Sequence, residues 1–180
     1  MISLIQHNAR ELGELHAAIH RTFRARSASK AHLAAWKQAC EAFHSNYDRL
    51  AFPGGLTRAY DRLKQRDEGM VESVIAFLEG DPYFFRSGYV KADLLRALSK
   101  LPLDQGHRAR LRQVILERVK GPARREFRRY CNLAPYVSTP GFEHELQTLE
   151  DSTDPVVARQ AAWVLAALRR GVQKPSRGAV

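Results

Sequence analysis

The sequence predicts an all-α protein assembled from antiparallel helix pairs, and three observations carry that expectation. Apolar residues recur at spacings of three and four along almost the whole chain, which is the period of one helix face. Strand signals are missing: there is no alternating run of β-branched residues and no Asn-Gly or Asp-Gly turn between two such runs. Most Gly and Pro residues fall between the periodic segments rather than inside them, as expected of helix stops.

Taken in order, Leu12, Leu15, Ile19 and Phe23 form the stripe of a first helix, broken at Ser27-Ala28-Ser29. A second helix carries Leu33, Trp36, Cys40, Phe43, Tyr47 and Leu50, and Phe52-Pro53-Gly54-Gly55 ends it. Proline disfavours the α conformation just before it, and glycine caps a helix cheaply. A short third helix runs from Leu56 to about Arg66. From Met70 the helices come in pairs. Met70, Val71, Val74, Ile75 and Leu78 precede the stop Gly80-Asp81-Pro82, and Tyr89, Val90, Leu94, Leu95 and Leu98 precede Leu101-Pro102. Leu111, Val114, Ile115 and Val119 lead to Gly121-Pro122, then Phe127, Tyr130, Leu133 and Ala134. The last pair is Phe142, Leu146 and Leu149, then Pro155 through Leu168 beyond the loop Asp151 to Asp154. Residues 1–170 are therefore expected to form one helical domain, with N-terminal helices over 1–66 and helix pairs over 70–170. A flexible basic tail is expected over 171–180.

At 180 residues with 44% apolar content, the chain can bury a core without staples. It has no run of about 18 apolar residues, and MISLIQHNAR lacks the pattern of a secretory leader. Cys40 and Cys131 lie far apart and form no CxxC. These features suggest a cytoplasmic protein with free thiols and no membrane partner. The formal net charge of +10 points to an anionic partner, although an arginine-rich coding bias produces the same excess.

The segment LQTLEDSTDPVVARQAAWVLAALRRG resembles a HEAT repeat of the short bacterial, phycobilisome-lyase-like type. Asp154 suits an N-cap and Pro155 the first helical position. An earlier segment, FLEGDPYFFRSGYVKADLLRALSKL, repeats the Asp-Pro turn 73 residues upstream, about two helix pairs away. The middle pair carries Gly121-Pro122 instead. The resemblance covers about residues 70–170 and implies a HEAT-like α-solenoid, an α-α superhelix that binds through a broad surface.

No GxSxG, P-loop, GxGxxG, HExxH or EF-hand pattern occurs, so the sequence offers no catalytic residue and no cofactor site. His16 and His20, and Cys40 and His44, are each four apart at the edges of the first two helices. A hairpin bringing those edges together makes a Cys-His-His-His zinc tetrahedron; two solvated histidines and a cysteine acting as a small hydrophobe is the plainer reading. No metal is expected.

The arginine cluster says more. Between His107 and Tyr130 nine Lys and Arg residues face only Glu117 and Glu126. Arg125, Arg128 and Arg129 share one face by their spacing, Arg108 and Arg112 another, and Arg124 stands beside the first set. A guanidinium binds carboxylate or phosphate in bidentate geometry, whereas most charge runs are simply solvated helix faces. Trp163 points off its helix's stripe toward Arg159 and Arg170, which suits packing against a neighbour or a binding contact. Tyr83, Phe84, Phe85 and Tyr89 crowd one turn as gap-fillers or an exposed anchor.

Together these features suggest a non-enzymatic binding module, an adaptor or immunity-type protein that grips a protein with an acidic surface. The candidate contacts are Arg124, Arg125, Arg128, Arg129, Arg108, Arg112 and Trp163. The other expectation is a basic nucleic-acid binder. The chain is similar in basicity and helix pairing to the HEAT-like alkylpurine DNA glycosylases, but it lacks their acidic residue among tryptophans.

Overall fold

The computed structural model describes residues 1–172; residues 173–180, most of the expected tail, lie outside the described part. Among the described residues there are nine α-helices and no strand. The chain packs as two compact units, Met1–Val90 and Lys91 onward.

The first unit contains α1 (Ile2–Phe23), α2 (Lys30–Ala51), α3 (Leu56–Lys64) and α4 (Val71–Gly80). The break after α1 falls at the Ser-Ala-Ser segment that the sequence marks. The Ser29 hydroxyl accepts from the His32 N–H at 3.2 Å and caps α2. Past α2, Gly54 and Gly55 adopt φ of 82° and 95°, a region that side-chain-bearing residues avoid. The following helix is tied back to α2 by Asp48, whose carboxylate accepts from the Thr57 N–H at 2.7 Å and from its hydroxyl at 2.6 Å.

α4 packs on α1 and α2 lies along α1. The core of this unit holds Ile5, Ala9 and Leu12 of α1, the run Val74 to Leu78 of α4, and Phe52, whose ring lies 5.2 Å from that of Phe77. Each such large side chain contributes about 1.5–3 kcal/mol on burial. α4 and α1 come close at Gly80: a Cβ there would stand 3.3 Å from Ile5 Cγ2, and the Gln6 amide donates to the Gly80 carbonyl.

Core formation stops partway along the α1–α2 hairpin. No residue from Gly13 to Ala42 is fully buried. Leu15, Ile19, Trp36 and Cys40 are half-buried, while Phe23 keeps 44% and Leu33 38% of its surface. The stripes read from the sequence are in place, but beyond Leu12 each has only one helix to pack against.

The helix α5 (Ser87–Leu98) crosses the division between the units. The second unit continues with α6 (Gln105–Lys120), α7 (Phe127–Val137), α8 (Pro140–Glu150) and α9 (Pro155–Val172). α6 packs on α7, α8 on α9, and α7 on α9, with lighter packing of α6 on α8 and α9. Its core includes Leu111, Ile115, Val119, Tyr130, Leu133, Leu146, Ala161 and Val164. No described helix is long and apolar enough to cross a membrane.

The two Asp-Pro turns differ in geometry. Asp154 caps α9 as expected, accepting from Val156 N at 2.8 Å and Val157 N at 3.4 Å, with Pro155 as the first helical residue. Asp81 instead terminates α4 in the left-handed region at φ 41°, and α5 begins only at Ser87. The same two letters close one helix and open another, so their spacing does not mark equivalent points of a repeat.

Candidate functional site

The basic excess is unevenly shared. Residues 1–90 hold twelve Lys and Arg against ten Asp and Glu, whereas residues 91–180 hold seventeen against nine.

Because α6 and α7 run antiparallel, the seven candidate residues divide into two groups. Arg112 donates from Nη1 to the Val137 carbonyl at 2.9 Å, so it sits at the C-terminal end of α7. There it satisfies one of the carbonyls that a helix end leaves without an internal partner, and it meets the negative end of the helix dipole. Arg112 therefore has a structural task, and the exposed Arg108 lies one turn before it on α6. Arg124, Arg125, Arg128 and Arg129 lie at the opposite, N-terminal end of α7, roughly 15 Å away along that helix. Arg125 and Arg128 are exposed, and Arg124 and Arg129 are half-buried.

Trp163 joins the second group. The residue keeps 48% of its surface, and its ring lies 6.2 Å from that of Phe127 at the start of α7 and carries the Arg159 guanidinium 5.5 Å from its centre. α9 brings it there because Gln160, one turn earlier, donates from Nε2 to the carbonyls of Val119 and Gly121, both at 2.9 Å. Those bonds dock the middle of α9 on the end of α6 and satisfy carbonyls that the helix end leaves open.

The carboxylates of the cluster are engaged within the fold. Glu126 is buried and pairs at 3.4 Å with Lys91, which retains no exposed surface. Glu117 accepts from Gln113 Nε2 at 2.9 Å and lies 3.8 Å from Lys120. A cleft lined by Arg118, Pro122, Arg124, Glu126, Phe127 and Tyr130 encloses about 20 Å³, room for a water molecule rather than an organic ligand. Burial pushes the thiol of nearby Cys131 up to about 11, which favours the protonated form.

The sequence pattern singled out neither Lys91 nor Gln160, and it marked Glu126 only as one of two acids in the arginine cluster. A signal was available, since Lys91 shares the stripe of Leu94, Leu95 and Leu98, and Gln160 the stripe of Val157, Ala161 and Val164.

In the first unit the histidine set has other neighbours. The His16 ring stacks on Phe85 with centroids 4.6 Å apart, touches His20 edge-on at 4.6 Å, and lies 5.6 Å from Phe43. Among the described residues no group of three or more His, Cys, Asp or Glu is placed to share a metal ion. Of the crowded turn, Phe84 is buried, while Tyr83, Phe85 and Tyr89 are exposed, and the Tyr47 hydroxyl donates to the Phe85 carbonyl at 3.2 Å.

No family model, no curated protein and no solved structure matches the chain.

Proposed function

We propose that the chain is a binding module whose C-terminal unit holds a protein partner with an acidic surface. The contact is the patch of Trp163, Arg159, Arg125 and Arg128, with Arg124 and Arg129 at its edge. The observation that carries this reading is the half-exposed Trp163, braced by Phe127 and overlaid by Arg159. Tryptophan and arginine are enriched among the residues that dominate interface energetics, the first through its large apolar ring and the second through its planar fork of donors. An adaptor or immunity-type role on a HEAT-like solenoid fits the packing of α6/α7 beside α8/α9, where a broad face replaces a deep site.

The test places a photo-crosslinking residue at Arg125 in cells of the host and compares the parent with a Trp163→Ala variant. The expected result is a protein adduct that survives nuclease and is lost in the variant, with purified partner binding weakened about 30-fold or more, as for an interface hot spot. An adduct unchanged by Trp163→Ala would refute the reading. An adduct that disappears with nuclease would favour nucleic acid on this surface instead.

A further inference from the structure

A second basic surface lies in the first unit. From Leu15 to Cys40 the chain contains no acidic residue, but it holds Arg21, Arg24, Arg26, Lys30 and Lys37, together with His16, His20 and His32. The fold turns that stretch into the thinly packed end of the α1–α2 hairpin, bounded by Glu14 on one helix and Glu41 on the other. Arg21, Arg24, Lys30 and Lys37 are exposed, and none of the five cations makes an ion pair among the described residues. Arg26 is turned inward, donating to the Phe23 carbonyl at 2.8 Å and lying 3.5 Å from the centre of the Phe23 ring.

We propose that this end of the hairpin docks on the phosphate backbone of a double-stranded nucleic acid. The charge argues for it first. Five cations with no local carboxylate keep a shell of small anions, and exchanging that shell for phosphates releases the counterions held by the nucleic acid. The dimensions agree: Lys30 and Lys37 share a face of α2 and stand about 10 Å apart along it, a length over which a duplex presents roughly six phosphate charges. The side chains also discriminate among polyanions. An anionic membrane is disfavoured because the extreme turn carries only Ser27, Ala28 and Ser29, and of the flanking apolar side chains Phe23 is overlaid by Arg26, which leaves Leu33 alone to enter a bilayer. Stacking of single-stranded bases is disfavoured because the Phe23 face is taken by Arg26 and its side by Trp36, 6.3 Å away. What remains is sequence-independent binding to a backbone. This proposal is independent of the protein-binding patch, which lies in the other unit.

The experiment titrates the full chain into two fluorescent 20-base-pair DNA duplexes of unrelated sequence, over a series of salt concentrations. Equal affinity for both is expected, falling steeply with salt. The variant Arg21→Ser, Arg24→Ser, Lys30→Ser, Lys37→Ser should lower the salt slope by about 0.9 for each phosphate it no longer neutralises, up to roughly 3.6. Replacing Arg124, Arg125, Arg128 and Arg129 by Ser should leave that slope in place. A footprint needs no variant: the duplex should protect Lys30 and Lys37 of the parent from acetylation, but not Lys64, which is paired with Asp61. The proposal is overturned if the duplex leaves Lys30 and Lys37 unprotected, or if a folded hairpin variant keeps the parental slope. It is also overturned if poly-glutamate or phosphatidylserine vesicles compete as well as DNA at equal charge.

Discussion

Breaking the ion pair between Lys91 and Glu126 should destabilise the second unit more than any exposed charge change. Lys91 has no exposed surface and Glu126 keeps 7%, with Nζ and Oε1 3.4 Å apart. Glu126→Ala takes a carboxylate partner from the buried Lys91 ammonium, and removing one partner of such a pair costs up to about 3–5 kcal/mol. Lys91→Met should cost less. The stranded Glu126 precedes the first residue of α7, where the positive end of the helix dipole partly stabilises a carboxylate. In a chain of this size each kcal/mol corresponds to about 2–4 °C, so the larger loss is about 6–20 °C in Tm. The double variant Lys91→Met, Glu126→Leu should return to within about 1 kcal/mol of the parent, since an apolar pair often replaces a buried ion pair at little cost. Each unit holds one tryptophan, Trp36 in the first and Trp163 in the second. Urea melts in a Trp36→Phe background therefore report the second unit alone. Single variants that each lose under about 1 kcal/mol and add without coupling would refute the reasoning.

Two further outcomes follow from local geometry. Gly171→Ala should destabilise by about 1–3 kcal/mol, against the usual helix preference for alanine, because its Cβ would lie 2.7 Å from Pro135 Cβ; Gly13→Ala, with nothing within 4 Å, should stabilise by up to about 1 kcal/mol, and paired urea melts check both signs. His16 should titrate below 6.5 by proton NMR, since burial first and the neighbouring His20 second disfavour its charged form. Its folded value is depressed, so the stability it contributes is present above about pH 6.5 and lost as pH falls through the folded value. His16→Phe should remove that part of the acid sensitivity, and an unchanged stability profile would count against the assignment.

The helix boundaries were legible because local chemistry writes them. Ser29, Thr139 and Asp154 each accept backbone N–H groups where the next helix starts, and Gly54 and Gly55 take the backbone conformation that a sharp stop requires. Burial was less legible, because it depends on a third element. Leu12 and Phe23 sit on the same stripe, yet Leu12 is fully buried and Phe23 keeps 44% of its surface. Proline misleads at Pro135, which stays inside α7. Its ring becomes a packing surface for Gly171, so tertiary packing outweighs the missing N–H. Of the arginine cluster, spacing placed Arg125, Arg128 and Arg129 on one helix face, but Arg125 lies in the turn before α7 and only Arg128 and Arg129 are in that helix. Spacing did not give the task of Arg112, which depends on where α7 ends, or the arrival of Trp163 beside Phe127, which depends on Gln160.

The placement of the acids explains why a net charge of +10 acts on the surface with more than its formal weight. Asp48, Asp67, Asp104 and Asp154 accept from the backbone N–H groups of Thr57, Gly69, His107 and Val156, all at helix starts or turns. Glu126 faces inward to Lys91, and Glu143 accepts from Ser138. A carboxylate engaged by amide protons at a helix start is already partly neutralised by the dipole there, so it screens a nearby arginine less well. Some cations have framework duties too: Arg112 and Arg26 donate to backbone carbonyls and Arg62 pairs with Asp67, whereas Arg21, Arg24, Lys30 and Lys37 make no ion pair among the described residues. Capping thus draws negative charge into the framework and leaves positive charge outside, at the hairpin end in one unit and around Trp163 in the other. The anionic partners proposed above, at the hairpin end and around Trp163, would add negative charge where the framework supplies little of it.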